Sequence, residues 1–419
     1  MKLRDSAALR VHNVRLVDGV SAVAVDDAVL DADDDGHITY AGPAVGAPVP
    51  RPGVRTVDGA GGTLLPGLFD CHTHLGIPSD RSLVDVALLT DPVLGMLQTT
   101  ERLRRTLDAG ITSARDVGGL RSGFRDAVTA GLITGPRLQT SVGVISHTGG
   151  HADGTMPSGR DLALEYCELA DDVTGVRTAA RRMLRAGADL VKICTSGGMS
   201  SASDDPDDED LLDEEIAAAV DEAGRRGGRP VAAHAQGRAG VLAAIRGGVR
   251  SVEHGFGIDD EGCDLLGERG AFLVPTLSTT FGTLDREKTP PWRYEKKLRW
   301  NERTKANIAE AIARKVNIAV GTDAGIAPHG QNLRELWCLV ELGMSPMDAI
   351  KAATSTSARL LGVDDTLGSL KPGYAADLVL CTGDPVRDIS RLASPENIVL
   401  VVQQGAVRKC ALPPAERTS

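Results

Sequence analysis

Apolar and polar positions alternate in blocks through the middle of the chain. Short runs rich in Val, Ile, Leu and Ala recur eight times, and segments with helical spacing, such as 103–109, 176–186, 214–226 and 238–247, lie between them. The apolar runs predict buried strands and the spaced segments predict helices. The candidate strands are 65–71, 111–117, 137–145, 190–195, 230–234, 251–253, 271–276 and 318–321. This alternation over residues 63–363 predicts an α/β fold, a (β/α)8 barrel of the TIM type.

The two ends of the chain have a different pattern, in which short strand-like runs are separated by turn residues. Such runs lie at 9–17, 23–30, 37–40, 368–381 and 397–402. Neither end is long enough to bury a core by itself. We therefore expect residues 1–62 and 364–419 to form one small β-sandwich domain against the barrel.

A doubly wound open sheet is the alternative arrangement for alternating strands and helices. That fold carries a glycine-rich, dinucleotide-binding turn after its first strand, whereas this chain has the sequence Asp-Cys-His-Thr-His at residues 70–74. The glycine- and lysine-containing loop that binds nucleoside triphosphates is also absent from the sequence. The pattern therefore favours the barrel.

The composition fits a protein with a large core and argues against several partners. Of the 419 residues 42% are hydrophobic, and the sequence has neither an apolar leader nor a run of about 18 apolar residues. The net charge of −11 offers no basic footprint for nucleic acid or an anionic membrane. Seven scattered cysteines without a Cys-x-x-Cys pair indicate reduced thiols. We expect a cytoplasmic protein that binds neither nucleic acid nor membranes.

Much of the acidity lies in one segment, residues 204–215, with the sequence DDPDDEDLLDEE. We interpret it as a solvated loop that runs into a helix N-terminus, where acidic side chains interact favourably with the helix dipole. A calcium site is the alternative. It is disfavoured because the regular Asp-x-Asp-x-Asp-Gly loop with its terminal Glu is missing.

Histidine and aspartate side chains stand at the ends of the predicted strands. His72 and His74 follow the first strand, and alternation in an extended chain puts both on one side. His234 ends the fifth strand, His254 the sixth and Asp323 the eighth. The carboxyl ends of barrel strands meet at one mouth, and imidazole and carboxylate are ligands of zinc and related ions. One such histidine alone would be a hydrogen-bonded core residue, but the ordered set predicts a metal centre.

A lysine, Lys192, ends the fourth strand, where an ammonium group would repel a metal ion. A neutral buried amine that reacts with carbon dioxide becomes a carbamate, an anionic oxygen ligand able to bridge two cations. The alternative is an ammonium paired with a carboxylate at the barrel mouth.

The chain resembles the metal-dependent amidohydrolase superfamily in six residues taken in order: His72, His74, Lys192, His234, His254 and Asp323. Lys192 makes it similar to the binuclear subtype with a carboxylated lysine. The loops 146–153, 191–201 and 321–332 resemble the prolidase-like branch, which includes Xaa-Pro and Xaa-Arg/Lys dipeptidases and ochratoxin-hydrolysing enzymes. The resemblance implies hydrolysis of a dipeptide or an N-acyl amino acid.

The resemblance also implies roles for the ligands and two divalent ions, with zinc as the expected metal. A hydroxide that bridges the ions would attack the scissile carbonyl, and Asp323 would carry its proton to the leaving nitrogen. The expected ligand sets are His72, His74 and Asp323 for one ion, His234 and His254 for the other, and carboxylated Lys192 for both.

Residues near the substrate follow from the same resemblance. In the prolidase-like branch the second histidine of the Gly-Gly-His stretch lies near the substrate carbonyl, which implies a catalytic role for His151. His147, Gln236 and His329 are candidate substrate-binding residues. Gln236 stands where the branch has His or Tyr, and this departure concerns recognition of a substrate carboxylate.

Other activities are known on related barrels. Deaminases carry a Glu three residues after the fifth-strand histidine and lack the strand-four lysine, whereas this chain has Gly237 and Lys192. The lysine also disfavours mononuclear hydrolysis of the imidazolonepropionase type. Lactone or organophosphate hydrolysis stays open because the same nucleophile attacks esters and phosphorus. A non-enzymatic descendant would have lost several ligands.

The surroundings of the site are the least predictable part of the sequence. Residues 281–303 form a long predicted connection after strand seven that carries Trp292, Tyr294 and Trp300. These aromatic residues could cap the pocket or bind an aromatic substrate, or they could pack against a neighbouring helix or subunit. The superfamily often assembles, so we expect a homo-oligomer that acts on a small-molecule substrate.

Overall fold

The computed structural model describes residues 7–156, 158–162, 164, 166–282, 284–287 and 289–412. The strands are β1 (Leu9–Leu16), β2 (Val25–Ala32), β3 (Ile38–Pro43), β4 (Arg55–Asp58), β5 (Thr63–Pro66), β6 (Leu68–Thr73), β7 (Ile111–Asp116), β8 (Arg137–Thr140), β9 (Val144–Ser146), β10 (Cys167–Leu169), β11 (Val191–Cys194), β12 (Val231–Ala235), β13 (Ser251–His254), β14 (Phe272–Val274), β15 (Leu378–Cys381), β16 (Ile398–Gln403) and β17 (Ala406–Cys410).

The helices lie between the strands of the middle region and after them. They are α1 (Leu83–Leu89), α2 (Pro92–Asp108), α3 (Ser122–Thr129), α4 (Val173–Arg185), α5 (Asp213–Gly224), α6 (Arg238–Gly247), α7 (Asp260–Arg269), α8 (Leu277–Phe281), α9 (Pro291–Ala313), α10 (Arg334–Glu341), α11 (Pro346–Lys351), α12 (Ser357–Leu361) and α13 (Ser390–Ala393). A π-helical turn, Ala352–Thr356, joins α11 to α12, and a short 3-10 turn, Pro395–Asn397, precedes β16.

Helix ends follow local capping rules. In α2 the Asp91 side chain accepts hydrogen bonds from the backbone N–H groups of Val93 and Leu94, and Pro92 occupies the first helical position. Helix α6 ends at Gly248, which has a left-handed backbone with φ of 90°. The buried faces of these helices pack on the parallel strands, as with Leu103 of α2.

The strands of the two chain ends share one eight-stranded sheet. Its order is β17-β16-β15-β5-β1-β2-β3, and β4 pairs with β1. Apolar side chains from both ends, such as Leu9, Leu30, Leu378 and Leu400, form one buried cluster. Residues hundreds of positions apart therefore build a single unit beside the middle region.

The middle region contains two parallel sheets. One has the order β10-β9-β11-β12-β13-β14 and the other β6-β7-β8. Residues 317–324 lie between β14 and β6, with parallel bridges from Leu273 to Ile318 and from Thr73 to Ala324. On the other side the predicted strand 137–145 is broken into β8, which pairs with β7, and β9, which pairs with β11.

Two predicted elements differ from the structure at their boundaries. The apolar run 65–71 is split at Gly67, so that β5 joins the terminal sheet and only β6 joins the parallel strands. A side chain at Gly67 would lie 2.1 Å from the Thr112 side chain, so the chain crosses here where only glycine fits. The predicted strand 318–321 is present as bridges and backbone hydrogen bonds, such as Cys71 N–H to Val320 O at 2.7 Å.

The segment 281–303 is largely helical, which corrects its prediction as a long connection. Helix α9 begins with Pro291 at its first turn, and its buried face consists of Trp300, Thr304, Ile308 and Ala311. Trp300 is 1% exposed and is therefore a packing residue with no surface left for a substrate. Residues 283 and 288 of this segment lie outside the described residues. Within the described chain, no helix combines the length and hydrophobicity that crossing a bilayer requires.

Candidate metal centre

Three side chains converge at the end of β6. His72 lies within the strand, His74 follows it, and the backbone N–H of Asp323 donates to the His72 carbonyl at 2.8 Å. The Asp323 Oδ1 atom lies 3.6 Å from His72 Nε2 and 3.3 Å from His74 Nε2. One ligand atom from each of the three residues fits within 4.8 Å of the others, which is the spacing of a metal site.

Hydrogen bonds behind the two imidazoles turn the same ring nitrogen toward the site. His72 Nδ1 donates to Glu253 Oε2 at 2.8 Å, and His74 Nδ1 donates to the Gly118 carbonyl at 2.8 Å. Both Nε2 atoms are then unprotonated and free to bind a metal. The structure thus fixes the tautomer that a ligand requires.

His234 ends β12 and His254 ends β13, and their ring centroids are 4.6 Å apart. The His254 ring is also 4.8 Å from the His72 ring. A 2.7 Å hydrogen bond joins His254 Nδ1 to Thr276 Oγ1 and leaves Nε2 for a metal. His234 Nε2 lies 3.1 Å from the Gly197 carbonyl, so its Nδ1 is the free nitrogen.

Lys192 stands on β11 and is 3% exposed. Among the described residues its Nζ atom has no hydrogen-bond partner, and burial lowers the pKa of the amine. An unpaired buried ammonium is costly, so this position favours a neutral amine, the form that reacts with carbon dioxide. Four imidazoles, one carboxylate and one buried amine are a donor set whose chemistry fits divalent metal ions.

Burial sets the charge state of the ligands. It lowers the pKa of His72, His234 and His254 well below the ordinary value, which keeps these imidazoles neutral. Burial alone would raise the pKa of Asp323, but the neighbouring His74, with His72 and Lys192, lowers it. His74 is the exception: burial lowers its pKa, but the hydrogen bond to Asp323 and the charges of Asp323 and Asp116 raise it above the ordinary value. The site therefore holds three neutral imidazoles and His74 around an ionised carboxylate, and neutral imidazole and ionised carboxylate are the forms that bind a metal.

The backbone is strained at two of the ligands. His254 has φ of 71° and Asp323 has φ of 59°, in the left-handed region that residues other than Gly rarely adopt, although Asn, Asp and His do so more often than the rest. Such a conformation costs about 1–3 kcal/mol and persists where the surroundings hold it, which is typical of functional sites.

A buried ion pair that the sequence interpretation missed supports His72. Glu253 is fully buried, and its Oε1 atom accepts hydrogen bonds from Arg115 Nη2 at 2.8 Å and from the Ser251 hydroxyl. Arg115 also donates to the Cys71 carbonyl at 2.6 Å. The signal in the sequence was a glutamate inside an apolar strand, directly before His254, where an unpaired carboxylate would be costly.

His151 lies against the metal-ligand candidates. Its ring stacks on His234 with centroids 3.9 Å apart and an interplanar angle of 13°, and its Nδ1 lies 2.9 Å from Asp204 Oδ2. The Gly198 backbone lies directly beside this ring, and a Cβ atom there would approach the His151 ring to 2.2 Å. The glycine is therefore needed for the ring to occupy this place.

The acidic segment 204–215 is only partly solvated, and its interpretation as a solvated loop was wrong for three of its acidic residues. Asp204, Asp210 and Glu215 are buried. Asp210 accepts hydrogen bonds from the Ser146 hydroxyl at 2.7 Å and from the backbone N–H of His151 at 3.1 Å. The acids at 213–215 do stand at the N-terminus of α5. The loop packs on the loop after β9, a contact between segments that local sequence does not reveal.

The candidate substrate-binding residues separate into two groups. A cavity of about 340 Å³ is lined by His254, Asp323 and Gln236. His147 does not line it and hydrogen-bonds the Thr148 carbonyl at 2.6 Å. His329 is buried on another side, contacts the Ile77 carbonyl at 2.7 Å and lines a different cavity. The structure brings Gln236 to the site and leaves His147 and His329 outside its cavity.

Comparison with known proteins agrees with this arrangement. The sequence model of the Amidohydrolase family matches residues 63–408. Ochratoxinase of Aspergillus niger is 33% identical over 366 residues, which are 83% of this chain and 75% of that enzyme. A solved Xaa-Pro dipeptidase with bound methionine has a TM-score of 0.86 at 30% identity and covers 96% of this chain and 99% of its own. A prolidase with N-methylphosphonate-L-proline has a TM-score of 0.88 at 28% identity and covers 96% and 100%.

The fold and the site define a metal-dependent hydrolase on parallel strands. The chain belongs to the amidohydrolase family, in the prolidase- and ochratoxinase-like branch, and is an enzyme that hydrolyses carbon–nitrogen bonds of amides. The structural neighbours imply the TIM-barrel-type fold with an additional domain. The resemblance drawn from six residues of the sequence is thereby confirmed.

Proposed function

We propose that this protein is a binuclear metal-dependent hydrolase that cleaves the amide bond of a dipeptide or an N-acyl amino acid. The observation that carries the proposal is the buried amine of Lys192, for which the described residues offer no hydrogen-bond partner. A positive charge on the Lys192 amine would lower the pKa of His72, His234 and His254. The amine therefore lies near the ligand candidates of both proposed ions. A carbamate on this amine would be a ligand common to two ions.

Divalent ions bound to these residues would lower the pKa of water toward about 7 and would polarise a carbonyl group. Zinc is the metal that a nitrogen-rich set with one carboxylate favours. The residues that would hold the first ion are His72, His74 and Asp323, those for the second are His234 and His254, and carboxylated Lys192 would serve both.

The chain supplies the proton transfers and the orientation. Asp323 is ionised, stands at the edge of the cavity and takes the proton of the attacking water, which it returns to the leaving nitrogen. His151 is held at Nδ1 by Asp204, and its Nε2 is left to contact the substrate carbonyl. The amine product leaves neutral because it receives this proton.

The relatives support the substrate class. The two solved neighbours are a dipeptidase and a prolidase, with methionine and N-methylphosphonate-L-proline bound. The cavity of about 340 Å³ suits a ligand of dipeptide size. An amino acid is therefore our proposal for the leaving group.

The test is a substrate screen on protein loaded with zinc in the presence of bicarbonate. Dipeptides, N-acyl amino acids, lactones and organophosphates are compared, and metal content is measured by elemental analysis. We expect two ions per chain and turnover of amides. Fewer than one ion per chain would contradict the binuclear site, and cleavage of lactones or organophosphates alone would contradict the amide substrate.

Asp323→Asn should lose nearly all turnover, and near-normal turnover with both ions bound would contradict the role assigned to Asp323.

We also propose that residues 63–363 close into a (β/α)8 barrel and that residues 1–62 and 364–419 form the β-sandwich domain. The bridges of residues 317–324 to β14 and β6 support closure, and the apolar cluster enclosed by the terminal strands supports the second unit. Residues 1–6 and 413–419 lie outside the described residues.

The cytoplasmic location and the homo-oligomeric assembly also remain predictions. The seven thiols are unpaired in the structure, which suits the reducing cytoplasm. Exposed apolar side chains at 88–97, including Leu89 and Val93, are the kind of surface that subunit contacts cover. Light scattering of the purified protein tests the homo-oligomer, which a monomer mass would contradict.

A further inference from the structure

The cavity beside the metal-ligand candidates has a second group of lining residues that the proton transfers do not use. Arg293 and Lys297 of α9 and Arg334 at the start of α10 line it together with His254 and Asp323. All three cations are half-buried. Within the part of the chain that the structure describes, Asp323 is the only carboxylate that lines this cavity. The cavity therefore has an excess of positive charge.

These three cations have no acidic partner among the described residues. Lys297 donates to two backbone carbonyls, of Thr279 at 2.9 Å and of Gly282. Arg334 donates to one backbone carbonyl at 3.4 Å. For the Arg293 guanidinium the described chain offers neither a hydrogen bond nor an ion pair. The donors of this guanidinium are thus available to a ligand.

Two cations of the same helix outside the cavity are neutralised. Arg299 pairs with Asp205, and Lys305 pairs with Glu302 at 3.0 Å. The chain as a whole is acidic, with a net charge of −11, so carboxylates are plentiful. Arg303 of α9 also has no acidic partner in the described chain, but it is exposed and lies over the Trp300 ring outside the cavity. The three cavity cations therefore differ from the cations of α9 outside the cavity in being half-buried without an acidic partner.

The cations are close enough to repel one another. Burial, together with the charges of Arg293, Lys305 and Arg334, lowers the pKa of Lys297 to about 8. A bound anion would relieve this repulsion. A carboxylate is suited to the place because it accepts charge-assisted hydrogen bonds from guanidinium and ammonium groups together.

The other residues that line the cavity indicate which further groups the ligand carries. Gln236, at the position where the branch has His or Tyr, is neutral, and its Oε1 accepts the Met199 N–H at 3.1 Å. It supplies no positive charge for a carboxylate. The apolar side chains of Phe256, Ile326 and Pro328 line the same cavity and favour an apolar side chain on the substrate.

We propose that Arg293, Lys297 and Arg334 form an anion subsite that binds the free carboxylate of the leaving amino acid. The inference rests on the proposed function, because it assigns a place to one end of that substrate. The three residues determine specificity and take no part in proton transfer. They select substrates that have a free carboxylate and an apolar side chain beside the scissile amide.

The first experiment compares turnover of N-acetyl-L-phenylalanine and N-acetyl-L-phenylalaninol by the zinc-loaded enzyme. The two compounds differ only at one group, which is a carboxylate in the acid and a hydroxymethyl group in the alcohol. We expect kcat/KM to be at least about tenfold higher for the acid, the equivalent of one charge-assisted hydrogen bond. Arg293→Gln and Arg334→Gln should each remove about tenfold from this preference through KM, with turnover of the alcohol unchanged.

The second experiment separates binding from catalysis. Calorimetry measures binding of N-benzenesulfonyl-L-phenylalanine and of the matching alcohol, in which a sulfonamide replaces the scissile amide. If the acid binds more tightly than the alcohol, and Arg293→Gln abolishes this difference, the subsite is supported even when no amide is hydrolysed. A lack of amide hydrolysis would contradict only the proposed function. Equal binding of acid and alcohol to the unmodified enzyme would overturn the subsite and leave amide hydrolysis intact.

The test of the subsite uses Arg293→Gln because this side chain has no described bond to lose. Lys297→Met would also remove hydrogen bonds to two carbonyls, one within α8 and one directly after it. Arg303→Gln removes an exposed cation of α9 outside the cavity and should leave the preference for the acid unchanged. If Arg293→Gln lowered turnover of acid and alcohol equally, the proposed recognition of the carboxylate would be wrong.

Discussion

Lys192 is the residue on which the proposal of two ions depends most. Replacing it with alanine removes the amine that would carry the carbamate and should lower turnover and zinc content. We expect a loss of turnover greater than about 100-fold, since even residues behind a metal ligand change activity 10- to 100-fold. Short carboxylic acids added to Lys192→Ala should restore part of the activity, because they supply the missing anionic oxygen atoms. Two tightly bound ions and normal turnover in this variant would exclude a bridging carbamate.

Asp204 is expected to position His151 through the 2.9 Å hydrogen bond to Nδ1. Asp204→Asn keeps the size of the side chain and removes its charge, so kcat should fall about tenfold with a smaller change in KM. The decrease should vanish in a His151→Ala background, because residues that act through one another are not additive. Asp205→Asn, which changes a neighbouring acid paired with Arg299, is the control. Additive losses in the double variant would show that Asp204 acts elsewhere.

The pKa of His329 is lowered by burial to about 4, from an ordinary value of 6.5. Between these values the unfolded chain binds more protons than the folded one, so the stability that His329 contributes is present above pH 6.5 and is lost as pH falls toward 4. His329→Gln keeps a donor for the Ile77 carbonyl but does not titrate.

Unfolding by urea at a series of pH values checks this prediction. Between pH 6.5 and 4 the free energy of unfolding should fall less for His329→Gln than for the unmodified protein. The difference between the two decreases should be up to about 3 kcal/mol. His37→Gln, a change at an exposed histidine of the terminal sheet, is the control. An unchanged slope in His329→Gln would mean that another group governs acid unfolding.

The ligand positions could be predicted from sequence because each one interrupts an apolar strand at its carboxyl end. That signal is local. Glu253 and Asp204 could not be assigned in the same way. A glutamate inside an apolar strand indicates a paired carboxylate but not its partner, and Asp204 is one aspartate among many acids. Their roles follow from contacts with Arg115 and with His151, which only the folded chain provides.

At the scale of secondary-structure elements, it was easier to predict whether a segment is a strand or a helix than to predict the residues at which it begins and ends. The run 65–71 is continuous in hydrophobicity, but the close approach at Gly67 divides it between two sheets. Helix α9 was missed because Pro290 and Pro291 indicate a turn and because charged residues separate its buried positions. Pro291 is in fact the start of the helix, a place that proline tolerates.

Helix α9 also holds the loop that carries Asp204. The Lys296 ammonium donates to the carbonyls of Gly198 at 3.2 Å, of Ser201 at 2.9 Å and of Asp204. Lys296→Met leaves these buried carbonyls without their donor and should lower the free energy of unfolding by about 2 kcal/mol. Hydrogen exchange should rise at residues 198–204 more than in α9 itself. Arg303→Gln is the control on the same helix, and unchanged exchange in the loop would contradict this role.

At the scale of the whole molecule, the metal-ligand candidates join distant parts of the chain. His72 and His74 come from the three-stranded sheet, His234 and His254 from the six-stranded sheet, and Asp323 from the segment between them. No local pattern encodes this convergence. It follows from parallel strands whose carboxyl ends share one edge.

Because the candidate ligands are assembled only in the folded chain, bound ions should stabilise the whole middle region. A ligand present at a thousand times its Kd and bound only by the folded state adds about 4 kcal/mol per site. Removal of the ions by a chelator should therefore lower Tm, and added zinc should restore it. The ligand variant His234→Asn should show a smaller decrease on chelation, since it has lost a ligand already. Calorimetry with and without chelator is the measurement, and an unchanged Tm after both ions are removed would show that the site is held together without them.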